Sequence, residues 1–197
     1  MIKKHTLILA HGAGAPMDSE WMNTITELLK NNGVEVHRFE FPYMIMRRKD
    51  GKKRPPNTLK VLLDTYSTIV NKFDGKVFVG GKSMGGRIAT MIADSHDNII
   101  ASIGLGYPFH PPKYPQKLRT KHLKNMKSPC LIIQGEKDPF GKITEWDAFN
   151  LAPTVFIYPL IEANHDLKPL KRTGLSHLDA LRLCVEQMIQ FMDKHND

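Results

Sequence analysis

A three-layer α/β/α sandwich around a mostly parallel six-stranded sheet is the fold this sequence predicts. Three observations point to it. Short, continuously apolar runs recur along the chain, as strands buried on both faces require. Segments with helical spacing separate those runs, which favours parallel crossovers. A G-x-S-x-G pentapeptide, Gly81-Lys82-Ser83-Met84-Gly85, joins one apolar run to an apolar helical segment.

Residues 6–10 read as the first strand. Residues 19–31 follow as a helix, with Trp21, Met22, Ile25, Leu28 and Leu29 at helical spacing, capped by Asp18 or Ser19 and ended at Asn31-Asn32-Gly33. Residues 34–41 alternate like a strand. Residues 43–57 read as a basic loop closed by Pro55-Pro56. Asn57 is a cap for a helix to about Val70. Residues 76–79 form a short buried strand, and residues 84–95 a helix of small and apolar side chains. Three further strands are expected at 99–105, 131–134 and 155–158, and a last helix at 176–193.

With 197 residues, 41% hydrophobic and 24% charged, the chain can bury a core without disulfide or metal. One domain, 1–197, is expected, with no repeat or linker. No apolar run is long enough to span a membrane. The amino-terminal stretch, with Lys3-Lys4 before a run that stops at Ala10, is too short for an export signal, so a cytoplasmic location is expected. Cys130 and Cys184 sit in apolar contexts and read as buried, reduced thiols. Neither belongs to a metal-site pattern, and no cofactor is expected.

The net charge of +8 raises nucleic acid as a partner, but the stretch Arg47–Arg54 supplies +5 of it. One basic loop is not the broad footprint that nucleic acid needs, so none is expected. That loop leaves the carboxyl end of a strand and could draw an anionic substrate, with Met44, Arg47 and Arg48 as candidate contacts. Tyr107, just past strand 99–105, is a fourth.

The pentapeptide carries the chemistry. A serine nucleophile between strand and helix takes a strained backbone that lifts its hydroxyl above the sheet. Residues two before and two after it approach closely, which demands glycine. The alternative is a tight glycine turn with an incidental serine. A phosphate-binding loop would need glycine at position 76, where Lys76 stands, and Met17 breaks a dinucleotide pattern in Gly12–Met17. A serine hydroxyl needs a base, and on this topology an acid and then a histidine follow in chain order. Asp138 lies beyond strand 131–134, with Glu136 as its rival, and His165 lies beyond strand 155–158, with His110 and His122 as rivals. Asp166 reads as a local hydrogen-bond partner. Two backbone donors are expected for an oxyanion, at Met84 and at Ala13 in the His11-Gly12-Ala13-Gly14 loop. His11 reads as a buried residue shaping that loop.

Several segments together resemble a known family. They are Phe41-Pro42-Tyr43-Met44, Arg47–Gly51, Gly80–Arg87, Leu105–Pro112 and Leu118–Leu123. The chain resembles an α/β-hydrolase of the compact, lid-less kind related to dienelactone hydrolases. More narrowly it resembles a small branch that includes a subunit of the eukaryotic NSL histone-acetyltransferase complex. The resemblance implies a nucleophile at Ser83, an acid at Asp138 and a base at His165. It departs from larger members in reaching the H-G-A-G loop at residue 11, two strands early, and in lacking room for a cap between 105 and 131. The expected function is a serine hydrolase of a small ester or thioester. The alternative is a binding or scaffold protein that keeps the fold.

Overall fold

The computed structural model describes residues 5–196; Lys3 and Lys4, read above as part of a run too short for export, lie outside them. Six strands, β1 (Thr6–Ala10), β2 (Glu35–Phe39), β3 (Val77–Lys82), β4 (Ile99–Leu105), β5 (Cys130–Gly135) and β6 (Val155–Leu160), form one sheet in the order β2-β1-β3-β4-β5-β6. Every neighbouring pair is parallel. The helices are α1 (Glu20–Asn31), α2 (Pro42–Asp50), α3 (Leu59–Val70), α4 (Met84–Ile92) and α5 (His177–His195).

Alternation along each strand sends side chains into two cores. On one face Leu7, Leu9 and Phe78 meet Met22, Ile25 and Leu29 of α1 and Leu181, Cys184 and Met188 of α5. On the other, Ile8, Val77 and Val79 meet Leu62 and Tyr66 of α3 and Ile88 and Ile92 of α4, with Cys130 among them. β3 and β5 are buried throughout, whereas the edge strands β2 and β6 are half-exposed, and Glu35, His37 and Arg38 keep the β2 edge polar. Both cysteines are free, and burial pushes each thiol up to about 12. The connection from β4 to β5 holds only a short 3₁₀ turn, Leu123–Asn125, so no obvious cap domain is present. Among the described residues no helix is long and apolar enough to cross a membrane.

Most elements fall where the sequence places them, and β3 and β6 run longer than expected. The largest correction is the 43–57 stretch. Its first half is the helix α2, not a loop, started by Pro42 and stopped by Gly51 in the left-handed region at φ 71°. Asn57 does not cap α3; Thr58 stands there, and the Asn57 side-chain oxygen accepts the Tyr43 N–H at 2.8 Å, tying α2 to the approach of α3.

His122 lies in the β4–β5 connection, its Nε2 2.9 Å from the Thr90 hydroxyl. Burial, and then the charge of Arg87, lower its pKa to about 4. The unfolded chain therefore takes up a proton that the folded chain refuses between the ordinary histidine value and about 4. Stability from this residue is present at pH 7 and is lost as pH falls through that window. The melting temperature is expected to drop from pH 7 to pH 5, and to drop less in His122→Gln.

Candidate active site

Strand order reverses between β1 and β3: the chain leaves β1 toward one edge and β3 toward the other. Loops at the carboxyl ends of these strands diverge, which opens a crevice where such sheets bind ligands. Ala10 and Gly81 lie side by side at that point, so the 11–15 loop and the turn at Ser83 form opposite lips.

Ser83 has φ 51° and ψ −113°, a conformation rare for a residue with a side chain. The adjoining glycines make the turn possible. A Cβ at Gly81 would come within 2.5 Å of the Gly85 carbonyl carbon, and one at Gly85 within 2.6 Å of the Ala10 and His11 oxygens. These contacts are backbone and cannot move aside. The Ser83 N–H is held by the Leu105 carbonyl at 2.9 Å.

The hydroxyl meets His165, whose Nε2 is 2.9 Å from Ser83 Oγ. The other ring nitrogen, Nδ1, is 2.7 Å from Oδ2 of Asp138. A carboxylate only accepts, so Nδ1 carries the proton and Nε2 is left free to accept from the hydroxyl. Asp138 is fully buried. Its charge is met by three donors: His165, the Gln134 amide at 2.9 Å and the Phe140 N–H at 2.9 Å. The Phe140 ring lies against the imidazole at 4.3 Å between centroids.

The loops bearing Asp138 and His165 are strapped together. The Lys137 N–H donates to the Ala163 carbonyl at 2.9 Å. Glu136, the rival to Asp138, is engaged elsewhere: its Oε2 accepts the Glu162 N–H at 3.0 Å. Gly135 lies so close that a Cβ there would sit 2.4 Å from the Ala163 oxygen and 2.5 Å from the Asn164 oxygen. Gly135→Ala is expected to push the His165 loop outward. A misplacement near 1 Å costs about 10² in rate, so kcat on p-nitrophenyl acetate should fall by about that factor. Gly75→Ala, where a Cβ meets nothing within 4 Å, is the reference.

His11 is buried, and its pKa is lowered chiefly by that burial. Its Nε2 accepts the Phe41 N–H at 3.1 Å, so Nδ1 donates to the Gly12 carbonyl at 2.7 Å. The Tyr43 hydroxyl reaches the Gly12 and Ala13 carbonyls at 3.3 and 3.0 Å. In a trans peptide the N–H points opposite to the carbonyl. Fixing the Gly12 carbonyl toward His11 and Tyr43 therefore turns the Ala13 N–H the other way. Met84 opens α4, so its N–H has no acceptor within the helix.

Two chambers meet at Ser83 and share Ala13 and Phe140. One, about 340 Å³, is lined by Trp21, Met22, Lys82, His165 and Asp166. The other, about 390 Å³, is lined by Leu59, Leu62, Met84, Arg87 and Arg119.

The α/β-hydrolase domain family matches residues 3–193. The chain belongs to the α/β-hydrolase family. Its fold is similar to Est1E from Butyrivibrio proteoclasticus, with a TM-score of 0.69 at 17% identity over 97% of this chain and 89% of that one. It is similar to the esterase domain of a Rhodothermus marinus protein, at 0.67 and 14% over 97% and 87%. It is also similar to a monoacylglycerol lipase of Paleococcus ferrophilus, at 0.68 and 15% over 94% of each chain.

The structure places the expected substrate contacts of this hydrolase elsewhere. Met44 and Tyr107 are buried in the core, because α2 folds its first turn inward and Tyr107 turns under the sheet end, its N–H held by the Gln134 side-chain oxygen at 2.6 Å. Arg48 binds Glu40 at 2.7 Å and Asp18, and Arg54 binds Asp50, so these cations are spent locally. Neither Arg47 nor Arg48 lines a chamber at Ser83. Of the methionines, Met22 and Met84 reach the cleft.

Sequence reasoning missed Gln134 and Lys82. Each is a lone polar residue ending an apolar strand, and that was the available signal. Lys82 is buried, which lowers its pKa against the pull of Asp166. Its ammonium donates to the His165 carbonyl at 2.6 Å, pairs with Asp166 at 3.3 Å and faces the Trp21 ring at 5.5 Å. Asp166 is thus more than a local partner: it helps Lys82 hold the loop that carries His165.

Proposed function

We propose that the protein is a serine hydrolase of small esters or thioesters, of the lid-less kind, working through Ser83, His165 and Asp138. The observation that carries this reading is the unbroken chain from Ser83 Oγ through His165 to buried Asp138, at 2.9 and 2.7 Å. Ser83 Oγ attacks the carbonyl carbon as its proton passes to His165 Nε2. Asp138 stabilises the imidazolium so formed. The N–H groups of Ala13 and Met84 receive the oxyanion, each worth about 3 kcal/mol of transition-state stabilisation. His165 returns the proton to the leaving alcohol or thiol. Water, deprotonated by the same nitrogen, then releases the acid from the acyl-serine.

The comparisons support hydrolysis as the class, and the absence of an obvious cap favours small or exposed acyl groups. A fluorophosphonate probe tests the reading. One adduct by intact mass is expected on wild type, and none on Ser83→Ala or His165→Ala. A folded wild-type protein that takes no adduct would turn the reading toward a binding role.

A further inference from the structure

The second chamber at Ser83 is cationic on its far wall, and the cations there are unspent. Arg87 stands one helical turn after Ser83, its N–H bonded to the Ser83 carbonyl at 3.0 Å, so it rises from the face of α4 that bears the serine. Arg119 comes from the β4–β5 connection, its backbone fixed by the Phe109 carbonyl at 2.7 Å and the Tyr107 hydroxyl at 3.3 Å. Among the described residues neither guanidinium has an ion pair or a side-chain hydrogen bond, and Arg87 Nε is buried with no partner. The two charges lie in each other's field: burial first, and then Arg87, lower the pKa of Arg119. A further chamber of about 450 Å³, also walled by both arginines, continues to Lys121, His122 and Asn125. Asp94, the acid whose field reaches His122, is occupied by the N–H groups of Lys127 and Ser128 at 2.9 and 2.8 Å.

Two like charges held together, one with a buried unmet donor, are unfavourable without an anion. A guanidinium fork matches a planar or tetrahedral oxyanion. We propose that Arg87 and Arg119 form a subsite for an oxyanion, a carboxylate or a phosphate, at the end of the ester or thioester whose carbonyl sits at Ser83. The inference rests on the esterase reading above and names its substrate class. It also relocates the anion attraction that the sequence suggested for 47–54, where Arg48 and Arg54 are paired and Arg47 lines neither chamber at Ser83.

Matched esters test it: mono-4-nitrophenyl adipate against its methyl ester, and a second pair carrying a terminal phosphate or its free hydroxyl. Wild type is expected to favour the charged member of at least one pair by about tenfold in kcat/KM, the size of one charge-assisted hydrogen bond. The pair that shows the preference identifies the oxyanion. Arg87→Gln and Arg119→Gln should each bring that ratio near one whatever their absolute rates, and Arg87→Lys should restore part of it. Rising salt should erode it. Calorimetric titration of Ser83→Ala with the same compounds reads binding without turnover. Tighter binding of a charged member, lost in Ser83→Ala/Arg87→Gln, upholds the subsite even if wild type hydrolyses nothing. Equal binding of both members in both pairs overturns it even if hydrolysis is brisk.

Discussion

Ser83→Ala is expected to lower kcat on p-nitrophenyl acetate by about 10⁶, the loss seen when a serine nucleophile is removed from such an apparatus. The reason is chemical. Alanine leaves the Ala13 and Met84 N–H groups, proposed to receive the oxyanion, and both chambers in place, but removes the oxygen that would form the acyl bond. The residual rate then reflects positioning and oxyanion stabilisation alone. The fold should survive, because the backbone approach that accompanies the φ of 51° at this position depends on Gly81 and Gly85 rather than on the hydroxyl, which meets His165. A variant retaining a tenth of the wild-type rate would remove Ser83 from the chemistry.

Asp138→Asn ranks next, with an expected fall of up to about 10⁴ in kcat. The arrangement around Asp138 shows why. Oδ2 receives donors from both His165 and Gln134, and Oδ1 one from Phe140. An asparagine with its oxygen toward His165 sets its amide against the Phe140 N–H, donor to donor. Turned over, it sets the amide against His165 and Gln134 and forces the imidazole into the tautomer that cannot take the serine proton. In both orientations the negative charge beside the developing imidazolium is gone. Single-turnover rates on the same ester measure the effect, and a loss under tenfold would move the role of acid elsewhere.

The parts of the site legible in the sequence were those set by the backbone. Gly81 and Gly85 announce Ser83 because no side chain fits there, and the order of strand ends announces Asp138 and His165. His11 was readable as a shaping residue because it closes an apolar strand and opens a glycine loop. Other parts depend on which side chains the fold brings together. Arg87 and Arg119 are separated in sequence by all of β4, and nothing local in either signals the other. The basic stretch misled because charge density is visible in sequence and pairing is not. Glu40 and Asp18, which neutralise Arg48, come from β2's exit and the approach to α1. Helix α2 was hidden by its many cations, although Pro42 and Gly51 mark its ends.

The two thiols stand on opposite sides of the sheet, Cys130 in the core under α3 and α4 and Cys184 in the core under α1 and α5. Both are fully buried and held in the unreactive, protonated form. Each is therefore silent until its own helical layer lifts from the sheet. The order in which they become alkylated is a built-in record of which half of the sandwich opens first.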